Sequence, residues 1–220
     1  MGSTPQRASW LERFYQLYLQ EEDSARFLAA VASHYTVPVL EQLLVSGGRT
    51  ARRAAALAIG MLGDYASNPA LGRALHDRDR AVRLLAEDGI QKLWHRDGTM
   101  AQQQMLQSII RWNACLEFHR AARAAARIIG AAPWLAEAWN QRAIAYYQLE
   151  RFSESLRDCR QALKRNPYHF AAAVGMGHCY LEIFDGLAAL ECFRWALQVN
   201  PSMENVRAQV GYLQRSLEEK

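Results

Sequence analysis

Apolar residues recur with the period of an α-helix along almost the whole chain. Few stretches alternate apolar and polar residues, and alanine-rich helical spacing dominates instead. In the first such stretch, Trp10, Phe14, Leu17 and Tyr18 mark one face of a helix. Glycine, proline, asparagine and aspartate residues separate the apolar stretches that follow. The pattern predicts an all-α protein of about thirteen helices.

The residues between 136 and 201 contain one pattern twice, with a period of 34 positions. Both copies place small, aromatic, small and small residues at the same four positions and end with a proline. The matching pairs are Ala143 and Gly177, Tyr146 and Tyr180, Ser155 and Ala189, Ala162 and Ala196, and Pro167 and Pro201. Such a period, with two helical stretches per copy, indicates an array of helical hairpins. Small residues let paired helices approach, and proline ends the second helix.

This half of the chain resembles the tetratricopeptide repeats, or TPRs. The resemblance implies two units, 136–169 and 170–203, which follow a degenerate unit at 102–133. After the last unit, a one-sided apolar stripe predicts a C-terminal helix that caps the stacking face of the final hairpin, through about residue 217. Its residues are Val206, Val210, Leu213 and Leu217.

The first half, from about residue 10 to 95, resembles the short HEAT repeats of the phycobilin-lyase type. Its clearest unit reads LGRALHDRDRAVRLLAEDGIQKLW and matches the family signature at Leu75, Asp77, Asp79, Val82, Arg83 and Ala86. We expect Arg52 and Arg83 to be structural. With a junction at Asp97-Gly98, the two resemblances predict one right-handed α-solenoid, a superhelix of helical hairpins that is HEAT-like over 1–97 and TPR-like over 98–220.

The TPR resemblance also implies a peptide-binding groove, because the first helix of each hairpin lines the concave side of such arrays. The positions that point into the groove predict a mixed apolar and amide surface, suited to an extended or helical peptide. The candidate residues are Asn140, Ile144, Tyr147, Val174, His178 and Leu181, with Glu137 and Ala171 beside them. The lysine-asparagine-arginine clamp of heat-shock co-chaperones is absent. Two alternatives are a groove that binds nothing in particular and a groove that packs on another copy of the chain.

Net charge is +4, and arginines form stripes on predicted helix faces, including Arg120, Arg123 and Arg127. We interpret these stripes as solvated outer faces. The alternative is that they bind nucleic acid or another polyanion.

Catalytic and metal-binding motifs do not stand out. None of the six histidines forms an H-E-x-x-H motif, and no nucleophile elbow, phosphate loop or dinucleotide glycine motif occurs. We therefore expect no catalytic residue, no metal and no cofactor. The prediction is a non-enzymatic scaffold for a protein or peptide partner.

We expect a cytoplasmic protein of bacterial type. The four cysteines lack C-x-x-C spacing, which is typical of reduced, buried thiols. The start of the sequence, MGSTPQRASWLERF, has no long apolar run, and no stretch approaches eighteen apolar residues. We therefore expect neither a secretory signal nor a membrane span.

Overall fold

The computed structural model describes residues 9–218 and divides the chain into two compact units, Met1–Leu93 and Trp94–Lys220. Within the described residues all regular structure is helical, with thirteen α-helices and no strand, which confirms the all-α prediction. Residues 1–8, part of the stretch that argued against a secretory signal, lie outside the described range.

The first unit contains six α-helices and a short 3-10 helix at Tyr65–Ser67. The α-helices are α1 (Trp10–Glu21), α2 (Ser24–Ala32), α3 (Val37–Ser46), α4 (Arg49–Leu62), α5 (Asn68–Ala74) and α6 (Arg80–His95), the last two residues of which belong to the second unit. The second unit continues with α7 (Met100–Ala114), α8 (Phe118–Ala131), α9 (Ala136–Gln148), α10 (Phe152–Arg165), α11 (Phe170–Glu182), α12 (Gly186–Val199) and α13 (Glu204–Glu218).

Helix α1 turns a different face to the core from the one that its aromatic residues suggested. Leu11 and Tyr15 are buried, whereas Trp10 and Leu17 are exposed. Both pairs satisfy helical spacing, so periodicity alone does not choose between them. The hydroxyl of Tyr35 accepts a hydrogen bond from the Leu11 amide, so the buried face is also the one that this polar contact fixes.

Three arginines, of which Arg52 is buried, form hydrogen bonds between segments of the first unit. Arg52 donates two hydrogen bonds to the Asp77 carboxylate, through Nε at 2.7 Å and Nη2 at 3.0 Å. Arg83 donates to the backbone carbonyl of Asp77 at 2.9 Å. Arg53 makes a second bidentate pair with Asp79. Arg52 and Arg83 therefore have a structural role, as expected. The bidentate geometry fixes orientation as well as adding binding energy.

The second unit is built from successive hairpins, α7 with α8, α9 with α10, and α11 with α12. Each hairpin turn holds one residue in the left-handed backbone region, and these three residues occupy equivalent places: Leu116, Glu150 and Phe184. At the other end of the repeat, buried Asn166 and Asn200 each accept a hydrogen bond from the amide two residues on, at 3.1 Å. The two copies therefore share their turns as well as their helices.

Helix α13 packs its predicted stripe against α12. Val206 and Val210 are buried, and Leu213 and Leu217 pack on the cluster that contains Phe193. The stripe was thus correctly identified as a buried face.

Candidate binding groove

A cavity of about 270 Å³ lies on the second unit, between α9 and α11. Most of its surface is apolar, and the amides of Asn140 and Gln148 add polar groups. The other lining residues are Ala143, Ile144, Tyr147, Ser155, Cys159, Ala171, Val174, Gly175 and His178. The volume is below that of most ligand pockets and has room for one or two protein side chains.

Five of the six predicted groove residues line this cavity: Asn140, Ile144, Tyr147, Val174 and His178. The sixth, Leu181, packs with α12 and α13 instead. Ile144 is 38% exposed and offers the most accessible large apolar surface of the five. Asn140 is almost fully buried, so it contributes to the floor of the cavity and not to its rim. The positions that the repeat register selects thus lie around one cavity, but they differ in how exposed their side chains are.

Tyr147 connects the cavity to a carboxylate at its edge. Its hydroxyl donates a 2.8 Å hydrogen bond to Oε1 of the exposed Glu182. Burial and this bond to a carboxylate raise the pKa of Tyr147 to about 12. Because the hydroxyl proton is held by Glu182, the Tyr147 oxygen faces any ligand as an acceptor.

His178 forms one wall of the cavity. Its ring packs edge-on against Phe193, with centroids 5.2 Å apart, and lies 6.5 Å from the ring of Tyr147. Burial lowers the pKa of His178 below its usual range, so the ring is neutral at pH 7. A neutral imidazole can still donate one hydrogen bond and accept another.

A buried carboxylate lies below the floor. The register placed Glu137 toward the groove, but the side chain is 3% exposed, so that placement is wrong. Its carboxylate accepts hydrogen bonds from Gln141 at 2.6 Å, Asn140 at 3.2 Å and the His169 ring at 2.8 Å. Burial by itself raises the pKa of Glu137, but the His169 and Gln141 hydrogen bonds outweigh it and hold that pKa below its usual range.

His169 is held in one tautomer by its two partners. Its Nδ1 accepts the Ala172 amide proton at 3.2 Å and so caps the start of α11. The proton on the ring therefore sits on Nε2, which donates to Glu137. The ring also stacks on Trp94, with centroids 4.2 Å apart.

One hydroxyl and one thiol, those of the buried Ser155 and Cys159, line the cavity, and two further buried thiols lie in the same core. Ser155 donates to the Ala143 carbonyl at 2.8 Å and lies 3.2 Å from the Cys179 sulfur. Burial raises the pKa of Cys159 and Cys179 above the usual range, and that of Cys192 to about 11. Thiols with raised pKa values are poor nucleophiles, so these cysteines act as packing groups.

Arginines and aromatic rings alternate on a different face of the second unit. Arg142 lies 5.0 Å from the Trp139 ring centroid and pairs with the buried Asp158 at 2.6 Å. Arg151 lies 4.4 Å from the Tyr146 ring and pairs with Glu154 at 2.7 Å. Carboxylates therefore neutralise both Arg142 and Arg151.

The described residues offer little other chemistry. No group of three or more histidine, cysteine, aspartate or glutamate side chains within 9–218 could hold a metal ion. No single helix in that range is long and apolar enough to cross a membrane. The helices Ser24–Ala32 and Val37–Ser46 reach the required length and apolarity only when they are counted together, and they are bent by 99° relative to each other.

Hairpins with this period and turn chemistry define a helical-repeat protein. A family model described as "Tetratricopeptide repeat" matches residues 136–169, which is one unit of the chain. The "Small glutamine-rich tetratricopeptide repeat-containing protein" of Dictyostelium discoideum is 32% identical over 74 residues. Those residues are 34% of this chain and 22% of that protein, so the match spans under a quarter of the relative.

Two solved structures share the hairpin fold. The first TPR of Spaghetti (RPAP3), bound to an HSP90 peptide, has a TM-score of 0.51 at 16% identity, covering 53% of this chain and 93% of that one. The TPR2B domain of yeast Sti1, in complex with pHsp70, has a TM-score of 0.50 at 19% identity, covering 54% and 99%. At such identities the likeness shows the fold alone. The HEAT resemblance of residues 10–95 stays a prediction.

Several residues of the site were not predicted. Glu182 follows Leu181 at the end of α11, and only the close approach of α9 shows that it reaches Tyr147. Ser155 and Cys159 lie on α10, which repeat reasoning assigned to packing, yet both line the cavity. The pairing of Arg142 with Asp158 could have been found by comparing the copies, because Met176 and Cys192 replace both residues together.

Proposed function

We propose that this chain is a non-enzymatic scaffold that holds a peptide or protein segment in the groove of its second unit. The observation that carries the proposal is the cavity of about 270 Å³, formed by positions that the repeat register assigns to binding. Its apolar walls suit one anchoring side chain, and its amides and imidazole can hydrogen-bond a peptide backbone. The two structural neighbours were solved with peptides of heat-shock proteins, which supports a protein-interaction role.

The alternative, binding of a polyanion through arginine stripes, has less support from the side-chain geometry. Arg120 pairs with Glu117 at 2.8 Å and covers the Trp112 ring, and Arg151 pairs with Glu154. A phosphate would have to displace these carboxylates. A polyanion binder also loses affinity steeply with added salt, which gives a direct way to separate the two functions.

The test is selection of peptides from a random display library, followed by affinity measurements on two matched variants. Ala171 is exposed and lines the cavity, so Ala171→Leu fills the groove without entering the core. Ala131 is exposed at the end of α8, away from the cavity, so Ala131→Leu is the control. We expect selected peptides to bind Ala171→Leu at least about tenfold more weakly, a loss near 1.4 kcal/mol.

Ala131→Leu should bind the same peptides as well as the native chain does. Selection of no peptide, or of peptides that bind both variants equally well, would overturn the groove proposal. Loss of binding at raised salt together with insensitivity to Ala171→Leu would favour the polyanion alternative.

A further inference from the structure

The groove has an acidic edge and lacks a cationic wall. Among the described residues that line the cavity, none is an arginine or a lysine. The carboxylate of Glu182 lies at the edge, held 2.8 Å from the Tyr147 hydroxyl, and remains exposed to solvent. A second carboxylate, Glu137, lies below the floor and accepts the Asn140 amide. The described cavity lining and its edge therefore offer a carboxylate and no arginine or lysine to a ligand.

Hydrogen bonding within the site adds to this preference. The Tyr147 hydroxyl donates its only proton in the hydrogen bond to Glu182, so its oxygen can only accept a hydrogen bond from a ligand. The Asn140 amide nitrogen already donates to Glu137. Glu182 uses Oε1 for Tyr147 and is exposed to solvent, so its carboxylate remains accessible to a ligand. The edge thus presents acceptors side by side, and a donor that carries positive charge satisfies them best.

We propose that the groove recognises a basic peptide segment, in which one large apolar side chain fills the cavity and a neighbouring arginine or lysine pairs with Glu182. This inference rests on the proposed function and specifies its partner. It also separates this groove from one that reads an acidic peptide, because an acidic ligand would meet Glu182 with no cation on the cavity wall. Electrostatic mismatch of that kind costs affinity and slows association.

The experiment compares charge-matched peptides on charge-swapped proteins. Peptides selected on the native chain are resynthesised with each basic residue changed to glutamate, keeping the apolar anchor. Their affinities are measured for the native chain, for Glu182→Gln and for Glu182→Lys. The control variant is Glu191→Lys, which makes the same charge change at an exposed position on α12.

We expect the basic peptides to lose about tenfold in affinity for Glu182→Lys and less for Glu182→Gln, and to bind Glu191→Lys unchanged. The glutamate-substituted peptides should bind Glu182→Lys better than they bind the native chain. Selected peptides without basic residues, or an affinity pattern that Glu182→Lys leaves unchanged, would overturn this inference. If those peptides still fail to bind Ala171→Leu, the groove function stands and only the partner's charge is wrong.

A second copy of the chain is a competing occupant that the same proteins can reveal. Phe184, in the turn between α11 and α12, is 96% exposed and could serve as an apolar anchor. Sedimentation velocity of the native chain and of Phe184→Asp shows whether the chain self-associates and whether Phe184 is needed for it. Self-association that both Phe184→Asp and Ala171→Leu abolish would show a second copy in the groove and overturn the basic-peptide proposal. A monomer at the concentrations of the binding assays supports it.

Discussion

The copies at 136–169 and 170–203 have the same backbone plan and fill it with different chemistry. In the first copy, Arg142 on α9 pairs with the buried Asp158 on α10. The equivalent residues of the second copy are Met176 and Cys192, both buried in one apolar cluster. The second copy thus has two apolar side chains where the first copy has an ion pair. A buried charge without its partner would be strongly destabilising, so only the paired exchange keeps the hairpin intact.

A second exchange between the copies changes side-chain size in opposite directions on the two helices. Ala143 and Cys159 belong to one buried cluster in the first copy, and at the equivalent positions of the second copy Gly177 faces Phe193. A Cβ atom added to Gly177 would lie 2.5 Å from a carbon of the Phe193 ring. The larger residue on one helix therefore requires the smaller on the other. The repeat register specifies that small residues belong at this place, and the partner across the interface decides how small they must be.

The largest expected effect comes from breaking the ion pair of the first copy. Arg142→Met leaves Asp158 buried without a cation, and we expect a loss of about 3 kcal/mol in the free energy of unfolding, measured by urea denaturation. The double variant Arg142→Met with Asp158→Cys copies the second repeat and should recover most of that loss. A loss in the double variant equal to the sum of the losses of Arg142→Met and Asp158→Cys would show that the two exchanges are independent.

Gly177→Ala should have the next largest effect. The sequence register equates Gly177 with Ala143, but the Phe193 ring leaves no room at Gly177 for an added Cβ atom, so the two positions differ in space. We expect a loss of about 1–3 kcal/mol, the usual range for overpacking. In the background of Phe193→Cys, which copies the first repeat, the same change should cost nothing or stabilise the fold. A cost that persists in this background would mean that another neighbour limits the space.

The smallest expected effect concerns the acid stability of the first copy. Glu137 and His169 are replaced by Ala171 and Met203 in the second copy, so this buried pair is specific to the first. The folded-state pKa of Glu137 lies below its usual value, so its contribution is present above about pH 4.3 and is lost as pH falls through the folded pKa. Thermal unfolding between pH 3 and 7 should therefore show a loss of stability in acid that Glu137→Gln removes.

The control for this measurement is Glu191→Gln, which changes an exposed glutamate of α12 and should leave the loss of stability in acid unchanged. If Glu137→Gln and the native chain lose stability in parallel below about pH 4.3, the buried pair is not the source of that loss.

Periodicity predicted the helices and most of the buried faces of the second unit. The 34-residue period alone selects six candidate residues, and five of them line one cavity in the structure. It succeeded because neighbouring hairpins of a repeat array meet in the same way each time, so equivalent positions meet equivalent surroundings. The period did not predict the places of Leu181 and Glu137. Leu181 packs with α12 and α13, and Glu137 is buried beside His169.

The sequence by itself determined the helical class, the hairpin period, the turns and the positions that surround the groove, because these depend on local spacing and on close approach of small residues. Only the tertiary structure decided which carboxylate reaches the groove edge, which glycine tolerates no methyl group and which face of α1 is buried. Those outcomes depend on side chains that are 16 to 35 residues apart in the chain. Their distances are set by packing between helices, and helical periodicity carries no information about them.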